Sequence, residues 1–212
     1  MTNCSYDELY LPLAQRVMGD MYDYAVNTLS MDLKEYQHFF IVSGMARQFE
    51  IGNPTYVAGK NGCEVAREVV EECTDLQLDT EDVMYVEKSA EYWIGWSLAF
   101  YQWKSCHSYK KINMAIPIEE IYGMYDTLHE ADVSLFADIM DEKISNFEKT
   151  PMLRRLRTYA GLSQKMLADR SGVALRQIQL FEQGQRDIRK TRGQTLLQLS
   201  RALGCSMEEL VN

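Results

Sequence analysis

The stretch SQKMLADRSGVALRQIQLFEQGQR, residues 163–186, leaves the backbone fewer choices than any other part of this 212-residue chain. Ser163 carries a hydroxyl able to accept from the free amides of a first helical turn, and the spacing after it predicts a helix to about Arg170. Ser171-Gly172-Val173 reads as a tight turn, because glycine adopts the positive φ that such a turn requires without a steric cost. A second helix follows from Ala174 to about Gln183. Ala168 is small enough for the two helices to cross closely, and Ile178 is the apolar side chain with which the second helix can plug a core. The expected geometry is a helix-turn-helix.

The charge of the chain is divided unevenly around this element. Residues 151–212 hold 11 Lys and Arg against 5 Asp and Glu, a net of +6, whereas residues 1–150 hold 11 against 26, a net of −15. The formal charge of −9 therefore belongs to the first part. A basic module on an acidic one suits a polyanionic partner, since only the face that meets phosphate must be positive. Thr150-Pro151 marks the expected boundary: a hydroxyl able to cap a new helix, then a proline where a missing N–H costs nothing. Domains of 1–149 and 150–212 follow. Gly161, Gly172, Gly184 and Gly204 fall where short helices should end.

Residues 1–149 read as helical. Apolar residues at three-to-four spacing predict helices over 7–29, 32–48, 63–73, 90–106, 117–129 and 132–148, with a loop at 51–62 and an acidic connector at 74–88 that has room for a short strand at Val83 to Val86. In EYWIGWSLAFYQW, the residues Trp93, Trp96, Phe100 and Trp103 fall on one helical stripe. A buried core seam is the expected reading, and an aromatic-lined pocket the alternative. Glu71, Glu72, Asp75, Asp79, Glu81 and Asp82 read as a solvated strip, or alternatively as a surface for a basic partner.

Taken with its flanking residues, LSQKMLADRSGVALRQIQLFEQGQR resembles the Cro/CI-like, or XRE-type, helix-turn-helix regulators of bacteria and phages, over residues 152–211. The resemblance implies an all-α protein whose helical first domain is followed by a five-helix, lambda-repressor-like DNA-binding domain. It further implies that helix 174–183 enters the major groove of a double-stranded operator, as one half of a homodimer. Gln164 would then donate to a phosphate, and Ala174, Leu175, Arg176, Gln177 and Leu180 would form the base-facing rim. Arg157 and Glu182 match positions that pair as a structural ion pair. The chemistry agrees: Arg176 can fork onto guanine, Gln177 or Gln179 can reach adenine, and Leu175 can meet a thymine methyl. Arg186, Arg189, Lys190 and Arg192 would serve neighbouring phosphates. Ala174 stands where the family often has a capping Ser or Thr.

FFIVSGMARQFEIGNPTYVAGKNG and EYWIGWSLAFYQW resemble uncharacterised domains that precede such motifs, some of them encoded beside candidate toxins. That resemblance implies no known activity; the alternative to a plain regulator is an antitoxin-like protein whose acidic domain binds a basic partner enzyme while the basic domain autoregulates the operon.

Other chemistries find little support. GNPTYVAGKNG fails as a phosphate-binding loop, because Gly52 and Gly59 enclose six residues rather than four and Asn61 stands where a Ser or Thr would hold magnesium. His38, His107 and His129 are scattered. Asp126 and His129 are placed to share a helix face, yet they make neither a metal set nor a catalytic dyad, so no enzyme activity, metal or cofactor is expected. Cys4, Cys63, Cys73, Cys106 and Cys205 lack a C-x-x-C pair and are expected to be reduced and mostly buried. With no signal peptide and no membrane span, a cytoplasmic protein is expected.

Overall fold

The computed structural model describes residues 5–211, which form helices and connecting loops with no strand among them. The chain divides into two compact units between Glu142 and Lys143.

The first unit contains α1 (Leu11–Asn27), α2 (Leu33–Val42), α3 (Met45–Glu50), α4 (Gly62–Cys73), α5 (Ala90–Ser105), α6 (Tyr109–Ala115), α7 (Ile118–Tyr122) and α8 (Tyr125–Leu128). The division falls inside α9 (Val133–Glu148). Helix α1 is the central strut. Ala14, Met18, Met21, Tyr22 and Ala25 are fully enclosed, and the helix is sandwiched between α4 and α5. Gly95 permits the closest crossing: a Cβ there would lie 2.2 Å from the Met18 carbonyl oxygen, so any larger residue must drive α1 and α5 apart.

The buried carboxylates of this core have partners, whereas the Tyr36 hydroxyl and Ser97 Oγ are enclosed with none among the described residues. Asp23 accepts from Asn27 Nδ2 at 2.8 Å and from Ser89 Oγ at 2.9 Å. Asp20 pairs with Lys88 at 2.8 Å, and the Tyr22 hydroxyl donates to Gln37. Burial and these apolar surroundings push the Tyr22, Tyr36 and Tyr109 phenols above their ordinary range.

Several sequence expectations need correction. The periodicity over 32–48 conceals a break at Ser43-Gly44 between α2 and α3, and that over 117–129 a break at Gly123 between α7 and α8. Val83 to Val86 is irregular rather than a strand. It finds no neighbouring strand, and Val86 is 96% exposed. The acidic strip is partly structural. Asp82 binds Arg67 at 2.7 Å and Asn61 Nδ2 at 2.8 Å, and Glu71 accepts from the Leu78 amide at 2.8 Å. These bonds fasten the connector to α4, and Arg67 and Asn61 hold the Asp82 carboxyl below its usual range.

Of the cysteines, only Cys63 is fully buried; Cys73 and Cys205 are half-buried, Cys106 is exposed, and Cys4 lies outside the described residues. Burial raises the Cys63 and Cys73 thiols. The expected tryptophan seam belongs to the core only at Trp93, which is buried. Ile94, Leu98 and Tyr101 are enclosed on the same helix, while Trp96, Phe100 and Trp103 are half-buried.

The second unit contains α10 (Met152–Tyr159), α11 (Gln164–Ser171), α12 (Leu175–Glu182), a 3-10 turn at Ile188–Lys190, α13 (Gly193–Leu203) and α14 (Met207–Val211). Leu153, Leu156, Leu167, Ile178, Phe181, Leu199 and Leu210 make its core. Thr150 does not cap α10. Pro151 occupies that position, and the Thr150 hydroxyl turns back to the Asn146 carbonyl at 3.4 Å.

Candidate nucleic-acid interface

Local chemistry aims α12. Ser163 Oγ accepts from the Met166 amide at 3.1 Å and starts α11. Gly172 ends α11 with φ +71, and its amide donates to the Ala168 carbonyl at 2.9 Å. Ser171 seals the turn, donating to Leu167 O at 2.6 Å and accepting from the Val173 amide at 3.2 Å. Ala174 begins α12 with no side-chain cap, which forgoes about 1 kcal/mol of local helix stability relative to a Ser or Thr.

A bidentate ion pair locks α12 to α10. Arg157 Nε and Nη2 donate to the two Glu182 oxygens at 2.6 and 2.9 Å, and Arg157 Nη1 donates to the Leu162 carbonyl at 2.7 Å. Glu182 is almost fully enclosed, its side chain only 2% exposed. Gln164 joins this cluster, its Nε2 donating to Glu182 Oε2 at 2.8 Å. The side chain expected at a phosphate thus spends one N–H on the ion pair and keeps one for another acceptor.

Ile178, Phe181 and Glu182 face inward, and the helical period then turns Arg176, Gln179, Leu180 and Gln183 outward in one row. Arg176 and Gln183 are exposed, and Gln179 and Leu180 half-exposed. Leu175 is exposed on one flank, with Ala174 beside it at the turn. Gln177 lies on the other flank and donates to Thr191 Oγ1 at 3.4 Å, tying α12 to the loop before α13. Gln183 is an addition to the sequence-based set. It repeats the spacing of Arg176 and Gln179, and that spacing was its only signal.

The basic residues beyond α12 are not equivalent. Arg186 lies over the Phe181 ring, 5.8 Å from its centroid. Arg189 is held by Asp187 through contacts of 3.0 and 3.3 Å, which raises the guanidinium and lowers the carboxyl. Lys190 and Arg192 are exposed. If Lys190 meets phosphate, Lys190→Ala should weaken binding to all DNA sequences alike and flatten the salt dependence by roughly one unit of slope. Arg189→Ala should flatten it less, because Asp187 already offsets that charge. Titrations at several salt concentrations read both slopes, and an unchanged slope for Lys190→Ala removes it from the phosphate-contacting set.

Residues 153–210 match the helix-turn-helix family model. The match places an XRE-type helix-turn-helix, a DNA-binding fold, in the C-terminal unit. No curated protein and no solved structure matches the chain. Among the described residues no helix is long and apolar enough to cross a membrane, and no three His, Cys, Asp or Glu side chains gather as metal ligands.

Proposed function

We propose that the chain is a transcriptional regulator that reads a specific double-stranded operator with α12, as a homodimer on two related half-sites. The observation that carries this reading is the outward row Arg176, Gln179, Leu180 and Gln183, presented by a helix whose opposite face is pinned by the Arg157–Glu182 pair. A helix end locked by a buried fork keeps its base-reading side chains in register with the groove. Arg176 and Gln179 supply the donors and acceptors that tell guanine and adenine apart, with Leu175 at a thymine methyl. Gln177 serves the flank. Arg186, Lys190 and Arg192 supply sequence-independent attraction, Arg189 a weaker share, and the free N–H of Gln164 reaches an adjacent phosphate.

Selection from a random pool of duplexes tests the proposal. It should enrich one motif made of two half-sites related by a two-fold axis, with centres about one helical turn, or a multiple of it, apart. A pool that drifts without enrichment would remove sequence reading, and a single unpaired half-site would remove the homodimer.

A second reading is favoured by one feature of the first unit. The connector 74–88 exposes Leu76, Val83, Met84 and Val86 among its carboxylates, a pattern suited to a basic protein that needs apolar anchors. In that reading the chain is antitoxin-like and its DNA-binding unit regulates its own operon. A basic protein that co-purifies in stoichiometric amount from the native host would select it.

A further inference from the structure

Two residues of the tryptophan stripe of α5, Trp93 and Trp96, line a cleft. It opens at the start of that helix, holds about 300 Å³ and is lined also by Lys88, Tyr92, Tyr125 and His129, with Ser89 at its rim. Its walls are stiff. Trp93 is 9% exposed and packs edge-on against Phe136 at 5.4 Å and against Tyr125 at 5.9 Å. Tyr125 and His129 stack with centroids 4.6 Å apart and planes 25° apart, and the His129 Nδ1–H donates to the Tyr125 carbonyl at 2.8 Å. Trp96, one turn further along α5, is half-buried and completes the wall.

The charge of the cleft runs against that of its surroundings. The first 150 residues carry a net of −15, yet no carboxylate lines the cleft. Its fixed charge is Lys88, and that ammonium is positioned from two sides: Asp20 Oδ1 lies 2.8 Å away and the Tyr92 ring centroid 4.2 Å away. Asp20 sits behind the wall, 6% exposed, and is also approached by Arg16 at 3.7 Å. Two cations therefore share one buried carboxylate, and the group nearer the cleft keeps ammonium hydrogens for another acceptor. The second buried carboxylate, Asp23, is occupied by Asn27 and Ser89. The amino end of the 16-residue α5, which favours negative charge, opens beside Lys88.

Flat aromatic walls with a fixed cation at one end define a ligand with a ring and an acid. We propose that this cleft binds a planar aromatic carboxylate, its ring against Trp93, Trp96 and the Tyr125–His129 stack, and its carboxylate on Lys88. The volume lies at the lower end of small-molecule pockets and suits one or two fused rings rather than a dinucleotide or a peptide.

Calorimetry on the full chain tests the assignment with three probes of one shape: 2-naphthoate, neutral 2-naphthamide and cationic 2-naphthylmethylammonium. The naphthoate should bind at least about tenfold more tightly than the amide, and the ammonium compound most weakly. Lys88→Gln should bring the naphthoate to the level of the amide and leave the amide unchanged, while Trp96→Leu should weaken both. Equal affinity for naphthoate and amide, preference for the cation, or no binding of any probe at millimolar concentration would overturn the assignment. The ranking on the unmodified protein decides the matter even if Lys88→Gln fails to fold.

Discussion

Arg157→Ala should remove about 3–5 kcal/mol from the stability of the C-terminal unit, the loss expected when one partner of a buried ion pair is deleted. The size follows from what stays behind. Glu182 has a side chain that is 2% exposed, and after the substitution its only remaining partner among the described residues is the Gln164 amide at 2.8 Å. A single neutral amide does not compensate an enclosed carboxylate. The Leu162 carbonyl loses its donor at the same time. All three tryptophans lie in the first unit, so fluorescence would miss the change. Hydrogen exchange reads it directly: amides of α10, α11 and α12 should lose protection by about two to four orders of magnitude. The paired change Arg157→Met with Glu182→Leu should recover most of the loss, because it leaves no buried charge unpaired. A loss below about 1 kcal/mol would place the pair with ordinary surface ion pairs.

Arg176→Ala should act on recognition rather than stability. Arg176 is exposed at the first turn of α12, and none of the described residues holds its guanidinium, so truncation strands no buried partner. It should lower affinity for the selected operator by about 1–3 kcal/mol and scarcely change binding to random duplexes, since a base-reading fork is lost while the phosphate contacts survive. Equal losses on both DNAs would assign Arg176 to the backbone instead.

The parts of this molecule governed by short-range sterics were legible in its sequence. Ser163 as a cap, Gly172 at positive φ and Ile178 as a core plug each answer a local geometric demand, and each stands where that demand placed it. Less legible were breaks that the apolar rhythm passes through, at Ser43-Gly44 and Gly123, because three-to-four spacing does not register a change of helix axis. Helix α6 is one short element with two lysines in its first turn, and its period is too brief to read. The stripe of α5 shows the limit differently. Spacing revealed that Trp93, Trp96, Phe100 and Trp103 share a face, but of these only Trp93 is buried, and the side that carries Ile94, Leu98 and Tyr101 is the more enclosed one. Which face turns inward is decided by α1, through the contact of Gly95 with Met18.

In the candidate interface, the resemblance supplied the base-facing residues, whereas their partners needed coordinates. Gln164 looks free in the sequence and is bonded to Glu182 in the fold. Arg189 looks equivalent to Lys190 and is tied to Asp187. An aromatic-lined pocket on the Trp93–Trp96 stripe was one of two readings the sequence offered, but its other walls were out of reach, for Lys88 and Tyr125 belong to separate elements that only the packing of the first unit brings beside α5.

Sequence reading by α12 is tested most directly by competition. The full chain is bound to the selected operator at one fixed salt concentration near physiological, and is displaced either by the same duplex or by a scrambled duplex of identical length and composition. If α12 reads base edges, the operator should compete at least about a thousandfold better than the scrambled duplex, the lower end of the range for specific binders. Equal competition by the two duplexes would mean that the basic unit holds DNA by its phosphates alone, and would contradict the assignment of α12 as a reading helix.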